Sequence, residues 1–292
     1  MDVKDYRQAY ERELTAGSSR AKAAAPASAA AAAPHAAAID EISRVPQERD
    51  QLPTKIPSLI ATLRDQNVAT PIRQAALRAL RAVAFLAELF APFRAEFLDA
   101  LRQIAKPDTD QQLRQDALEI LSAEKDPYAQ DLLKKGLENE QDSLVPAVKA
   151  LQFLRNDDHG NFVDIARDVF QKAQDVATKV AALRIMATDA KSRGLLEQLL
   201  QDKTQPQALR TLSATGLHFL DPQKFAEVAQ KIILDKSDFE DIRATALGAL
   251  ANAPDHQHLF HDTAFIDAIK KLGSEGPLQN LHSAVGRFMS KL

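Results

Sequence analysis

A helical repeat is the feature that most constrains this chain. Seven related segments recur between residues 72 and 288, and each ends in a large apolar residue. The interval between these end residues varies from 30 residues (121–151) to 41 residues (80–121). The segments are IRQAALRAL (72–80), LRQDALEIL (113–121), LVPAVKAL (144–151), KVAALRIM (179–186), LRTLSATGL (209–217), IRATALGAL (242–250) and LHSAVGRF (281–288). Self-similarity at such a period indicates stacked supersecondary units.

Each aligned segment is preceded by another stretch whose apolar residues have helical spacing. We call the preceding stretch the first helix of a pair and the aligned segment the second helix. These first helices are predicted over 54–66, 93–106, 127–139, 160–173, 191–203, 222–236 and 263–275. Small residues such as Ala76, Ala117 and Ala246 allow the second helix to approach its neighbours closely. The sequence therefore predicts an all-α fold, an α-α superhelix (solenoid) of about seven antiparallel helix pairs over residues 54–292.

Acidic and basic residues recur at fixed places in these pairs. Three pairs are eight residues apart: Asp65 with Arg73, Asp202 with Arg210, and Asp235 with Arg243. Two pairs are closer in sequence: Asp108 with Arg114 and Asp175 with Lys179. In the other two repeats the cation is replaced by Leu144 and Leu281. With this pattern, residues 54–292 resemble the HEAT-repeat family. The resemblance implies a curved superhelix whose second helices line a concave, partner-binding surface.

The Asp and Arg residues have two interpretations. They can form a charged stripe for a partner, or they can satisfy each other at the turns and fix the stacking of adjacent repeats. The second interpretation is favoured, because a partner-binding Arg would not need an Asp beside it.

Composition excludes several other classes. The formal net charge is −3, and Lys and Arg are interspersed with Asp and Glu, which argues against nucleic-acid binding. Cysteine is absent, the N-terminus lacks the apolar core of a secretory signal, and the alanine run is broken by Pro26 and Pro34. We expect a cytoplasmic protein with no membrane association, and the alanine-rich composition suits a bacterium.

The N-terminal 53 residues are predicted to lie outside the repeats. Residues 1–16 are predicted as a short helix with Val3, Tyr6, Tyr10 and Leu14 on one stripe. Residues 17–53 are predicted as an Ala/Pro-rich flexible linker and lead-in. Tyr6, Tyr10 and Leu14 either dock in a partner's groove or fold back to cap the first repeat.

A run of aromatic residues follows the first repeat. A long helix is predicted over 71–91, and Phe85, Phe90 and Phe93 lie at or just beyond its apolar end. Most of this run is expected in the core, since a Phe stripe at helical spacing is usually buried. The extra turn is also predicted to project these three aromatics as a partner-binding ridge.

Catalytic motifs are not recognisable in the sequence. It has no Gly-rich phosphate loop, zincin motif or GxSxG elbow, so no cofactor is predicted. His258, His261 and Asp262 form a candidate metal site, with a solvated loop between helices as the favoured alternative.

The predicted function is a non-enzymatic scaffold or adaptor that binds another protein through the solenoid surface. The alternative is a HEAT-like lyase or chaperone-type protein acting on a chromophore or modified partner, since the fold does not exclude catalysis. A chromophore that co-purifies with the protein would distinguish the two.

Overall fold

The computed structural model describes residues 29–47, 49–157, 159–252, 262–274 and 279–291. Within these ranges the regular structure is helical, and no strand is present. The prediction of an all-α fold is therefore confirmed. The physical cause is a composition dominated by alanine and leucine, both strong helix formers.

The chain divides into two compact units, with the boundary between Gln103 and Ile104. The first unit contains α1 (Ala29–Arg44), α2 (Leu52–Arg64) and α3 (Thr70–Ala84), and the last residue of α4 (Arg94–Ile104) is the first residue of the second unit. The helices after the boundary are α5 (Gln111–Ala123), α6 (Pro127–Glu138), α7 (Ala147–Leu154), α8 (Val163–Lys172), α9 (Val176–Met186), α10 (Arg193–Gln201), α11 (Gln207–Leu220), α12 (Pro222–Leu234), α13 (Glu240–Asn252), α14 (Thr263–Leu272) and α15 (Gln279–Met289).

The aligned segments lie within observed helices, with one exception. The third segment was predicted to start at residue 144, whereas α7 begins at Ala147. Pro146 is the residue before this helix, with φ −53° and ψ 144°. The difference follows from proline chemistry, because a residue that precedes proline is driven out of the helical region.

The first unit differs from the linker predicted over residues 17–53. Ala29–Arg44 forms α1, and short 3₁₀ turns lead from it to α2. This helix packs against α3, with Ile39 and Ile42 half-buried and Val45 buried just beyond it. Alanine has the highest helix propensity of all residues, and these apolar residues supply the tertiary contact that a short helix needs.

The core of the first unit is formed by α2 and α3. Ile56, Ile60 and Leu63 are buried along one face of α2 at helical spacing. Ala76 and Leu80 are buried on α3, which packs against that face. Arg64 at the end of α2 donates from Nη2 to Asp99 Oδ2 of α4 at 3.0 Å. This partly exposed ion pair adds little stability by itself, but it connects α2 with α4.

The second unit is built of consecutive helix pairs. Within it α8 packs on α9, α10 on α11, α12 on α13 and α14 on α15, and each second helix also contacts the second helix of the next pair. One continuous apolar cluster runs from Leu151 to Phe288. Small buried residues occupy the same aligned position, four before the end residue of the repeat: Ala117, Ala182, Ser213, Ala246 and Ala284. Their size permits the close approach of neighbouring helices.

Aspartates start many helices of this unit. Asp110, Asp126, Asp175, Asp221 and Asp262 are N-cap residues whose carboxylates accept hydrogen bonds from first-turn amides. Such caps satisfy amides that have no partner inside the helix. The hydrogen bonds from Thr178 lower the pKa of the Asp175 carboxyl. Part of the acidic content of the turns is thus explained by capping.

Candidate interaction surface

The long helix predicted over residues 71–91 is interrupted at Leu86. Helix α3 ends at Ala84, and Leu86 has φ −86° and ψ 71°, outside the helical region. A single helical turn (Ala87–Phe90) and a 3₁₀ turn (Ala91–Phe93) follow before α4. The residues that lengthen the interval between the first two repeats therefore do not continue α3. We name the last turn of α3 together with the two short turns that follow it the 82–93 segment.

The 82–93 segment is apolar and lies at the surface. Its sequence is AVAFLAELFAPF, with Glu88 as its one charged residue. Leu86, Leu89 and Phe93 are half-buried. Phe85 is 85% exposed, more than any other large hydrophobic residue in the described part of the chain. Single exposed apolar residues are common on proteins, but a contiguous exposed apolar stretch is typical of a binding surface.

Phe90 does not belong to the predicted aromatic ridge. It is only 3% exposed, and its ring meets that of Phe97 edge to face with the centroids 5.4 Å apart. Phe90 lies seven residues after the buried Val83 and ten after the buried Leu80, which is the spacing of one helical face, so the apolar periodicity itself indicates a core position. Phe90 therefore anchors the segment, whereas Phe85 and the half-buried Phe93 remain accessible.

Three further exposed aromatics of the second unit were missed by the sequence analysis: Tyr128, Phe219 and Phe239. Phe219, near the end of α11, is 70% exposed, and Phe239 just before α13 is also exposed. The alignment does not single out Phe219, because Phe153 stands at the equivalent position of the third repeat and is buried. Polar or charged neighbours in sequence interrupt the apolar surface around Phe219 and Phe239.

The recurrent arginines have a common structural role. Arg73, Arg210 and Arg243 are buried, and each donates from Nε to the backbone carbonyl ten residues earlier. The acceptors are Leu63 (3.0 Å), Leu200 (3.0 Å) and Ile233 (2.9 Å), respectively. Each arginine thus ties the start of a second helix to the end of the first helix of its pair. Buried side chains in this geometry cannot form a charged stripe for a partner.

The recurrent aspartates were predicted to pair with the recurrent arginines, but their carboxylates bond to backbone amides instead. Asp65, Asp202 and Asp235 each accept a 2.9 Å hydrogen bond from the amide two residues later. These bonds stabilise the turn between the two helices of a pair. Asp235 also accepts from Lys203 of the preceding turn, and the hydrogen bonds from Lys203 and Ser237 strongly lower its pKa.

The carboxylate that Arg210 binds is Asp238. The pair is bidentate, with Nη1–Oδ1 at 2.5 Å and Nη2–Oδ2 at 2.6 Å, and both side chains are buried. Burial by itself would raise the pKa of Asp238, but the hydrogen bonds from Arg210 and the Phe239 amide, with the charge of Arg210, hold it below its usual value. The pair connects α11 to the turn that follows α12, across adjacent repeats.

Ser213 offers a test of the small-residue position. Its hydroxyl is buried with no hydrogen-bond partner among the described residues, at a place where most other repeats have alanine. We expect Ser213→Ala to raise the free energy of unfolding by about 1 kcal/mol, because it removes an unsatisfied polar group. Urea unfolding followed by circular dichroism measures this change.

The matched control is Thr215→Ala on the same helix. Thr215 is exposed, and its hydroxyl bonds to the Thr211 carbonyl at 3.2 Å. Its removal should change the free energy of unfolding by less than about 0.5 kcal/mol. A Ser213→Ala protein that is less stable than the wild type would contradict the assignment of the hydroxyl as unsatisfied.

Several predicted site residues lie outside the described residues: Tyr6, Tyr10, Leu14, His258 and His261. Asp262, the third member of the candidate metal site, is described and is the N-cap of α14. Its Oδ1 accepts from the Phe265 amide at 3.0 Å. Among described residues, no group of three or more His, Asp or Glu is placed to hold a metal ion. The metal site thus stays a prediction, and Asp262 has a capping role independent of it.

The described helices do not include one that is both long enough and apolar enough to cross a membrane. Comparison with models of protein families, with curated proteins and with solved structures finds no match. Function is therefore inferred from the surfaces of the chain itself.

Proposed function

We propose that this protein is a non-enzymatic scaffold or adaptor that binds another protein, with the 82–93 segment as its principal contact surface. The observation that carries the proposal is the exposure of Phe85 within a surface segment that has a single charged residue. Exposed apolar surface of this kind is costly in water, and burial against a partner would remove that cost.

The helix pairs are, in this proposal, HEAT-like repeats of an α-solenoid. The support is the arginine bond to the carbonyl ten residues earlier, which recurs at Arg73, Arg210 and Arg243 with nearly the same distance. Contacts between successive second helices in the second unit are also those expected of stacked repeats. Such proteins present a large surface per residue, which suits an adaptor.

Phe85 would act as the anchor of the interface. An aromatic side chain that enters a pocket on a partner is a typical hot spot, and Leu86, Leu89 and Phe93 would exclude water around it. Because Phe90 is packed against Phe97, the segment is held in place before it binds. Such preorganisation reduces the entropy lost on association. The stripe of Tyr6, Tyr10 and Leu14 is a proposed auxiliary contact.

Phe85→Ser is expected to weaken partner binding by about thirtyfold or more, the effect of losing a hot spot of about 2 kcal/mol. The experiment is affinity capture from native lysate with quantitative mass spectrometry, followed by calorimetry with the purified partner. Since Phe85 makes little contact with the core, the thermal melting temperature of the variant should match that of the wild type.

Phe219→Ser is the matched control, because it removes another exposed phenylalanine, outside the 82–93 segment. It should retain the partner. Retention of the partner by Phe85→Ser would refute the assignment of this surface. Recovery of a coloured small molecule with no protein partner would favour the lyase alternative.

A further inference from the structure

A groove with a volume of about 350 Å³ lies among α8, α9 and α10 of the second unit. Its apolar part is formed by Phe170, Met186 and Leu195. Met186 is buried, whereas Phe170 and Leu195 are half-buried and leave apolar surface open to a ligand. The cavity is large enough to receive one or two apolar side chains but not a whole helix.

Three cations surround this apolar floor: Arg167, Lys179 and Lys191. Arg167 is neutralised, since it donates to Asp164 at 3.0 Å and to Asp189 at 2.9 Å. The ammonium groups of Lys179 and Lys191 have no hydrogen bond or ion pair with any residue in the described ranges. The groove therefore has two positive charges that no described residue compensates.

The repeat explains why Lys179 is uncompensated. It stands at the aligned position of Arg210, which bonds to Leu200 through Nε and to Asp238 through both Nη atoms. Lysine has all its donors on one nitrogen and lacks the planar fork with which Arg210 bonds a carbonyl and both oxygens of a carboxylate. In addition, the place of Asp238 in the following turn is taken by Gln205, which donates to Asp202. The cation at this repeat is thus not used to hold helices together.

We propose that this groove binds an acidic amphipathic segment of a partner protein, with carboxylates on Lys179 and Lys191 and an apolar side chain on the floor. Charge complementarity selects this occupant, because a neutral or basic segment would leave both lysines unpaired. An anionic membrane surface is a poorer match, since its many charges would also meet the exposed Asp164 and Asp168 on α8, whereas a single segment can place its carboxylates at the two lysines alone. The site is a second surface and does not depend on the 82–93 segment.

The test is fluorescence anisotropy of the full chain with a labelled synthetic peptide of glutamate, leucine and one phenylalanine at helical spacing. A peptide with glutamine in place of every glutamate is the paired probe. We expect the acidic peptide to bind at least about tenfold more tightly than the glutamine peptide. Its affinity should fall as salt is raised, because the lysines are partly solvent-accessible.

Lys179→Gln combined with Lys191→Gln should lower the affinity for the acidic peptide by about tenfold. Lys231→Gln combined with Lys271→Gln is the control, because it removes the same amount of positive charge at exposed positions outside the groove. This variant should bind the acidic peptide with wild-type affinity. Lys191 is exposed, so Lys191→Glu alone repeats the test if the double variant fails to fold. Phe85→Ser should also bind normally, which separates this site from the surface proposed above.

Three results would overturn the proposal. The first is equal affinity for the acidic and the glutamine peptide. The second is wild-type affinity of the lysine double variant and of Lys191→Glu. The third is retention on phosphatidylglycerol vesicles without binding of the acidic peptide, which would make a lipid surface the ligand.

Discussion

Replacing Asp238 by alanine is expected to lower the free energy of unfolding by about 3–5 kcal/mol, because it leaves the guanidinium of Arg210 buried without its partner. Arg210 is 0% exposed, so water cannot replace the lost carboxylate. The bond from Arg210 Nε to Leu200 would remain and would not compensate the charge. Chemical unfolding monitored by circular dichroism measures the loss.

A double variant separates the ion pair from the packing around it. Arg210→Met with Asp238→Leu removes both charges, and the protein should be markedly more stable than Asp238→Ala, because a buried pair can often be replaced by apolar residues. A single Asp238→Ala protein as stable as the wild type would show that the pair is solvated and would contradict its buried geometry.

Low pH should weaken the ion pair between Arg210 and Asp238 and so lower the free energy of unfolding. The pKa of Asp238 is lowered in the folded protein, so its contribution is fully present at neutral pH and is lost as pH falls from about 4 through the lower folded-state value. Asp157, Asp175, Asp202 and Asp235 have shifts in the same direction. Stability of Asp238→Asn should therefore depend less on pH between pH 7 and pH 3 than that of the wild type.

Replacing Phe225 by alanine is expected to cost about 3–5 kcal/mol of unfolding free energy, since it opens a cavity in the core. Phe225 is 0% exposed on α12, and its ring meets that of His218 with the centroids 5.0 Å apart. Burial lowers the pKa of His218. Loss of the Phe225 ring should let this pKa rise towards its ordinary value, which NMR titration can follow.

Phe219→Ala is the control for this variant, as it removes the same side chain six residues away from a surface position. Its effect should be within about 0.5 kcal/mol. Equal destabilisation by Phe219→Ala and Phe225→Ala would mean that the orientation of α11 and α12 is not the one described. An unchanged His218 titration in Phe225→Ala would contradict the packing of the two rings.

The positions of the helices were predictable because the repeat supplies several independent copies of one pattern. In a single segment such as 209–217 the apolar residues do not by themselves show which face of the helix is buried. The apolar positions of 242–250 largely match those of 209–217, and this match indicates the buried face in both segments. The third segment was predicted from residue 144 instead of Ala147, because the effect of Pro146 on the residue before it was not applied. The helix over Ala29–Arg44 was missed because prolines in an alanine-rich stretch suggested a break, and its contact with α3 is a tertiary effect.

The surface was only partly predictable. The apolar composition of residues 82–93 indicated an interaction site, but periodicity assumes an unbroken helix and could not reveal the change of direction at Leu86. Phe85 and Phe90 were assigned to one ridge from their apolar character, although five residues correspond to about 140° around a helix and so separate the two side chains. The partner of Arg210 was also beyond local spacing, because Asp238 lies 28 residues away and is brought near by the packing of successive repeats.

Site-specific photo-crosslinking tests directly whether Phe85 of the 82–93 segment contacts a partner protein. The photoreactive amino acid p-benzoylphenylalanine would replace Phe85 in the full chain, and Phe219 in a matched control. We expect a covalent adduct with one partner protein from position 85 and none from position 219. Adducts of equal yield at the two positions, or a partner that binds but never crosslinks to position 85, would contradict the proposed contact.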